Sequence, residues 1–409
     1  MKSASSLEIL TETLPNGLVV VGERNPVSRS AALGYFVKTG ARDEIGVESG
    51  VSHFLEHMLF KGSSRFDAIG LSLELARLGV QANAYTSEES TVYYGAVISE
   101  HLAEYHGVLS DMMRPTLDEK EFSLEKNVIL EEIALYQDRP QFYLMDQALS
   151  HYYRGHPAGN SVLGSNASIS ALTCEQMRSY FNRRYTPQNI VFGIAGEFDW
   201  DEILTLTEKA TRHWESFAAS RTVEPYQGEK LEHTFTKPNL EQAYLFMVRE
   251  GCSCIDTDRY ALNLLALLVG DSGNSPLYWN ITHEGLAEDV MVATDERDGT
   301  GLVMAYAVSG ISQLDTVRER MEEVFTAEHF WTEADLQRVK LKHISQIVLS
   351  GEVPMSRVMA IGNGMLAQGE AISLSERIRR IESVSLGDIS RVAKRFPFTN
   401  WSEYRLIPA

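Results

Sequence analysis

The sequence predicts an α+β protein built from two copies of one fold, each an antiparallel-rich sheet with helices packed on it. Three observations predict this. The chain has 409 residues, more than one typical core holds. Apolar periodicity lapses between Glu215 and Pro238, where Pro225, Gly228 and Pro238 gather. After that lapse the pattern of the first half starts again.

The elements follow in order. Leu7 to Glu23 reads as two strands around a Pro15-Asn16-Gly17 turn. Ala31 to Lys38 is a strand closed by Thr39-Gly40. Gly50 to Phe60 has helical period and ends at Gly62, a residue suited to the position after a helix. Leu71 to Leu78 is a second helix, stopped by Gly79. Gln81 to Val97, rich in Thr, Val and Tyr, reads as one or two strands. Leu117 to Tyr136 is a long helix stopped before Pro140, and Asn189 to Gly196 is a strand. Beyond the lapse, Gln242 to Arg249 repeats the Ala31 to Lys38 strand, and Tyr260 to Val269 repeats the first helix, ending at Gly270. Late in each half, Leu172, Met177 and Tyr180 correspond in spacing to Val384, Ile389 and Val392. The expected division is 1–218, a linker 219–236, and 237–409.

Composition narrows the function. The net charge of −19 disfavours a nucleic-acid partner, because a phosphate backbone needs a basic footprint. No apolar stretch approaches the 18 or so residues of a membrane span. Three cysteines make no disulfide framework, and the Cys252-Ser-Cys254 pair has no second pair to complete a zinc ribbon. Met1 to Leu10 lacks the basic start and apolar run of a signal peptide. The expected setting is cytoplasmic and reducing, with no nucleic acid and no membrane.

The string Ser52-His53-Phe54-Leu55-Glu56-His57-Met58 carries chemistry. On a helix His53, Glu56 and His57 project to one side. Two imidazoles at that spacing can hold one zinc ion, and a carboxylate beside them can hold the attacking water. A solvated surface face is the bland alternative. Phe54, Leu55, Met58 and Leu59 make the helix apolar over most of its circumference, so burial and the metal are favoured. A third ligand is expected from the stretch Glu125 to Ile133 of the long helix. Glu125 and Glu132 lie two turns apart on one face, and Glu131 is turned about 100° from Glu132. Spacing leaves Glu131 and Glu132 both open, with the stack on Glu125 favouring Glu132.

With these residues the sequence resembles the pitrilysin, insulinase and mitochondrial processing peptidase group of inverted zinc metallopeptidases, nearest its short bacterial-type members. His53-Phe-Leu-Glu56-His57-Met-Leu-Phe-Lys-Gly62 is similar to the group's signature helix, and Glu125 to Pro140 to the helix that supplies its third ligand. Tyr185 to Asn189 and Gly193 to Gly196 look like the close of its first domain, and Trp331 to Phe396 like its C-terminal helices. The resemblance implies two homologous domains of the LuxS/mitochondrial processing peptidase type around an enclosed chamber, the first zinc-bearing and catalytic, the second without metal. It implies zinc on His53, His57 and Glu132, Glu56 as base, and Glu125 as a supporting carboxylate. It implies that Asn83, Ala84 and Tyr85 belong to an edge strand to which peptide substrate adds.

One departure stands out. The group's second domain carries an Arg and a Tyr, seven apart, that grip substrate. Here the corresponding positions fall near Thr282 and on Glu288. The counterparts of His53, Glu56 and His57 are Ala261, Leu264 and Leu265, which bind no metal. The expectation is a zinc endopeptidase acting on unfolded peptides, with basic ones suited to the chain's negative charge. It would be the zinc-bearing subunit of a heterodimer whose partner supplies Arg and Tyr, with a self-sufficient homodimer as the rival. A non-catalytic assembly subunit of the same fold is the alternative function.

Overall fold

The computed structural model describes residues 8–409 except Pro225 and Gln227. Met1 to Leu7, which include the start of the first expected strand and most of the Met1 to Leu10 stretch, and Pro225 of the expected linker lie outside the described residues.

The first half runs β1 (Glu8–Thr13), β2 (Val19–Arg24), β3 (Ser30–Val37), α1 (Val51–Met58), α2 (Ala68–Arg77), β4 (Gln81–Thr86) and β5 (Thr91–Ile98). It continues with α3 (Leu102–Met112), α4 (Glu119–Gln137), α5 (Pro140–Tyr152), α6 (Asn166–Ala171), α7 (Cys174–Arg184), β6 (Ile190–Gly196) and α8 (Trp200–Thr211). The second half runs β7 (Glu232–Lys237), β8 (Ala243–Glu250), α9 (Arg259–Gly270), a π-helical turn (Tyr278–Thr282), β9 (Asp289–Glu296) and β10 (Gly301–Ser309). Five helices follow, α10 (Leu314–Thr326), α11 (Glu333–Ser350), α12 (Pro354–Gln368), α13 (Leu374–Glu382) and α14 (Leu386–Arg395), and then β11 (Ser402–Pro408).

The sheets prove the duplication. One has the order β1-β2-β6-β3-β5-β4 and the other β7-β11-β8-β10-β9. Apart from β1, the two orders map onto each other strand for strand. In each, one pair is parallel, β2 with β6 and β11 with β7, and the remaining pairs are antiparallel. The late helices match to the residue. Thr173 and Ser385 are N-caps whose side chains accept from the amides of Gln176 and Asp388. Met177 and Ile389, four residues past each cap, are buried, as are Tyr180 and Val392 at seven.

The compact units do not follow the chain as two consecutive halves. Unit 1 takes the residues up to Ala134, Asn160–Thr222 and Val348–Glu376; unit 2 takes Leu135–Gly159, Val223–Ile347 and Arg377–Ala409. Thus α12 packs on β2, β3 and β6 of unit 1, while its counterpart α5 packs on β8 and β11 of unit 2. The buried Arg357 on α12 donates twice to Glu23 of β2, at 2.6 Å each. The continuous ranges 1–218 and 237–409 therefore differ from this division by two exchanged segments. The stretch 219–236 also holds the start of β7, which pairs with β11.

Each unit has its own core. In unit 1 Val21, Ala32, Phe36, Val92 and Ala195 on one sheet face meet Val358 and Ile361 of α12. In unit 2 Leu144, Ala148 and Tyr152 of α5 meet Phe246, Val248, Tyr404 and Leu406. Strand β3 is buried along seven of its eight residues, as befits a central strand covered on both faces. Strand β4 lies at the sheet edge. Gly79 ends α2 with φ +65°, its amide bonding Ala76 O and the Val80 amide bonding Leu75 O, the pairing of a Schellman stop. The helix expected to run to Phe60 stops at Met58, and Gly62 instead bridges to Asp67.

Candidate metal centre

Helix α1 is set by a turn that only glycine fits. Gly50 has φ +89°, and a Cβ there would lie 2.6 Å from Ile169 and 2.8 Å from the Leu163 carbonyl. The Glu44 carboxylate accepts from the amides of Gly50 and Ser52, both at 2.8 Å, and so satisfies the open end of the helix. Burial pushes this carboxyl up to about 8 against the pull of those amides. Beneath it, Ser52 Oγ bonds Tyr180 at 2.6 Å and Tyr180 bonds Thr39 at 2.7 Å. Val51, Phe54, Leu55 and Met58 are buried, which leaves His53, Glu56 and His57 on the remaining face.

Helix α4 begins at Asp118, whose carboxylate accepts from the amides of Lys120 and Glu121. Its inner face is Phe122, Glu125, Ile129 and Ile133, all buried. Phe122 stacks on Phe54 of α1 with centroids 4.6 Å apart, which joins the two helices. Glu132 shares this face, whereas Glu131 is exposed to solvent. Of the two glutamates that spacing leaves open, Glu132 is the one that faces α1.

The two helices bring His53, His57 and Glu132 together. One donor atom from each lies within 4.8 Å of the others. Glu132 Oε2 is 3.4 Å from His57 Nε2 and 3.7 Å from His53 Nε2. These separations are long for hydrogen bonds. They approach the ~3.4 Å that separates neighbouring donors around a tetrahedral zinc with ordinary bond lengths. The other nitrogen of His57 bonds Glu125 Oε1 at 2.9 Å, and Lys61 Nζ holds Glu125 Oε2 at 2.5 Å. Such a carboxylate fixes an imidazole's tautomer and orientation. His53 Nδ1 is buried and has no hydrogen-bond partner among the described residues.

The electrostatics favour a cation. Burial, then the neighbouring His57 charge, lowers His53 to about 4, so one of its ring nitrogens keeps a free lone pair at neutral pH. Burial alone would lower His57 too, but its bond to Glu125 and the carboxylates of Glu132 and Glu56 raise it to about 9. Glu132 is lowered chiefly by His57. Glu125 is lowered by His57 and Lys61 despite its burial. Glu56 is raised by burial, and Thr86 Oγ1 donates to its Oε2 at 2.5 Å. Two imidazole nitrogens and a carboxylate, with acids around them, are a donor set that fits zinc.

Strand β4 passes beside α1. Its outer edge has no strand partner among the described residues, and the Ala84 amide donates to the Asn83 side chain at 2.9 Å. Alternation puts Ala84 and Thr86 on the face of α1, and Asn83 and Tyr85 on the opposite face, where Tyr85 meets Asn363. Asn83 and Tyr85 therefore reach this side of the sheet through their backbone alone. Thr86, Lys61 and Glu44 were not singled out by spacing. Lys61 and Thr86 stand inside the motif stretches, while Glu44 carries no local signal.

Comparison with known proteins gives a consistent answer. The model of the insulinase peptidase family M16 matches residues 19–166, and that of the peptidase M16 inactive domain matches residues 171–342. The chain is 31% identical to the uncharacterized zinc protease YmxG of Bacillus subtilis over 94% of each chain. It is 28% identical to a probable mitochondrial-processing peptidase subunit beta of Arabidopsis thaliana over 96% of this chain and 77% of that one. A protease from Helicobacter pylori shares the fold with TM-score 0.89 at 21% identity, covering 98% of this chain and 100% of the other. A putative M16-like peptidase from Alicyclobacillus acidocaldarius gives TM-score 0.86 at 22% identity, covering 98% and 99%. On these matches along most of its length, the chain belongs to the insulinase family of peptidases, family M16.

Proposed function

We propose that this protein is a zinc-dependent endopeptidase that cleaves extended peptides in an enclosed chamber, as the metal-bearing subunit of a two-subunit enzyme. The carrying observation is the convergence of His53, His57 and Glu132 with Glu56 beside them. Relatives named zinc proteases support the choice of metal.

His53 Nε2, His57 Nε2 and the Glu132 carboxylate would hold the ion. Bound there, zinc supplies Lewis-acid polarisation of the scissile carbonyl and acidifies a water. The free edge of β4 would hydrogen-bond the peptide backbone as an added strand, which aligns the substrate while reading little of its sequence. Glu56 takes a proton from the attacking water as its oxygen bonds to the carbonyl carbon. It then delivers that proton to the amine nitrogen as the carbon–nitrogen bond breaks. Glu125 keeps His57 in one orientation throughout.

The partner rests on Thr282 and Glu288. Thr282 ends the π-helical turn, and Glu288 is exposed and bonded by the Gln242 side chain. Neither supplies the Arg or Tyr that the resemblance calls for. The isolated chain is expected to cleave an internally quenched peptide slowly or not at all, and a related chain carrying Arg and Tyr seven apart should restore turnover. Full activity from the purified chain alone, with a homodimeric native mass, favours the self-sufficient reading. No bound zinc, or zinc without chelator-sensitive cleavage in either setting, favours the non-catalytic subunit. The cytoplasmic location is proposed because three cysteines make no disulfide framework for a chain of this length, and it is tested by cell fractionation.

A further inference from the structure

We infer that Thr86 is a positioning residue that aims the Glu56 carboxylate, and that it does so from the strand that takes the substrate. This rests on the peptidase reading above. It adds a role for a residue at the end of β4.

The geometry is specific. Thr86 Oγ1 donates to Glu56 Oε2 at 2.5 Å, and among the described residues it is the side chain that donates to that carboxylate. A glutamate has three rotatable side-chain torsions, and α1 fixes only its Cα and Cβ. One hydrogen bond to Oε2 removes the carboxylate's rotation and leaves Oε1 to face a water. β-Branching restricts the threonine to few rotamers, so the hydroxyl is itself a fixed point.

The strand end is held from several directions. Tyr85, the preceding residue, bonds Asn363 of α12 from the other sheet face, with Asn363 Nδ2 at 3.0 Å from the Tyr85 oxygen. The turn after Thr86 closes through Ser87 N to Ser90 O at 2.8 Å. The same turn is tied to the start of the α1 approach by Ala41 N to Ser87 O at 3.3 Å and Arg42 N to Glu88 O at 2.8 Å. A hydroxyl so anchored can hold the base in place. Because the anchor is the edge strand itself, a peptide that pairs with β4 acts on the same element that orients Glu56. Binding and base alignment are thereby coupled over one residue step.

The test uses the zinc-loaded full chain, with its partner subunit where turnover requires one, and an internally quenched unstructured basic decapeptide. Thr86→Val is expected to keep its zinc and its KM within about twofold, while kcat falls roughly 10–100-fold, the range for losing a supporting hydrogen bond. Thr86→Ser should recover most of the loss. Thr86→Ala should match Thr86→Val and serves if the valine variant does not fold. A normal kcat in Thr86→Val, or a Thr86→Ser variant as slow as Thr86→Val, overturns the inference while leaving the peptidase reading intact. Wild-type protein that cleaves no peptide sinks that reading instead. In that case crystal structures of zinc-loaded wild type and Thr86→Val still decide, since the inference requires the Glu56 carboxylate to turn away in the variant with His53, His57 and Glu132 unmoved.

Discussion

Helices α1 and α9 hold the same place in two copies of one fold, yet one is built for a cation and the other for a core. Both follow a central strand and precede the edge hairpin of their sheet. On α1 the face beside the edge strand carries His53, Glu56 and His57, each with polar partners on α4 or β4. On α9 the corresponding Ala261, Leu264 and Leu265 are at most 4% exposed, and nine residues of that helix are buried. Asn263 on the same helix donates to Thr294 of β9 as a structural tie. The difference teaches that the fold requires only a helix at this place. The polar set proposed to hold the metal is an addition to that helix, and its desolvation is offset by Glu125, Lys61 and Thr86.

The largest expected break in the comparison comes from Glu56→Gln. Zinc measured by atomic absorption should be unchanged, and hydrolysis should fall by about 10²–10⁴-fold, the contribution of a positioned base. Near-normal turnover with zinc retained would remove Glu56 from that role. His57→Ala and Glu132→Ala should each lower bound zinc sharply, and a normal zinc content in either takes that residue out of the ligand set.

The reverse graft sharpens the contrast. Placing His, Glu and His at 261, 264 and 265 of α9 should yield no second zinc and should destabilise the protein by about 3–5 kcal/mol, because no partner awaits the buried charge. A variant of full stability with two zinc ions would show that the helix alone makes the site. Glu125→Gln is a milder change. It should weaken zinc by roughly 10–100-fold in a chelator competition, and an unaltered affinity would deny it a role in holding His57.

The smallest effect is one of pH. His106 in unit 1 is buried against Phe192, bonds Thr207 at 3.0 Å, and is lowered by burial to about 4. The unfolded chain therefore takes the proton first. The contribution is complete above the ordinary histidine value and is lost as pH falls toward 4, about 2 kcal/mol between pH 7 and pH 5. Glu44, raised by burial to about 8, has the opposite sign and gains as pH falls. Comparing urea unfolding of wild type and His106→Gln at the two pH values isolates the first contribution. An equal pH loss in both proteins would refute it.

Local signals accounted for much of this protein. The H-x-x-E-H spacing, the matched spacings of Leu172, Met177 and Tyr180 with Val384, Ile389 and Val392, and the stop at Gly79 each depend on residues within about two or three helical turns, where covalent geometry relates them directly. Such signals sufficed to place α1, to recognise the repeated strands and helices, and to name His53, Glu56 and His57. Tertiary structure decided the rest. Whether Glu131 or Glu132 faces α1 depended on how α4 rolls when Phe122 stacks on Phe54. Thr86 on Glu56 and Arg357 of α12 on Glu23 join residues 30 and 334 positions apart. Contacts at that range leave no periodicity in the chain, because they are selected by shape and charge complementarity between surfaces that exist only after each element has formed.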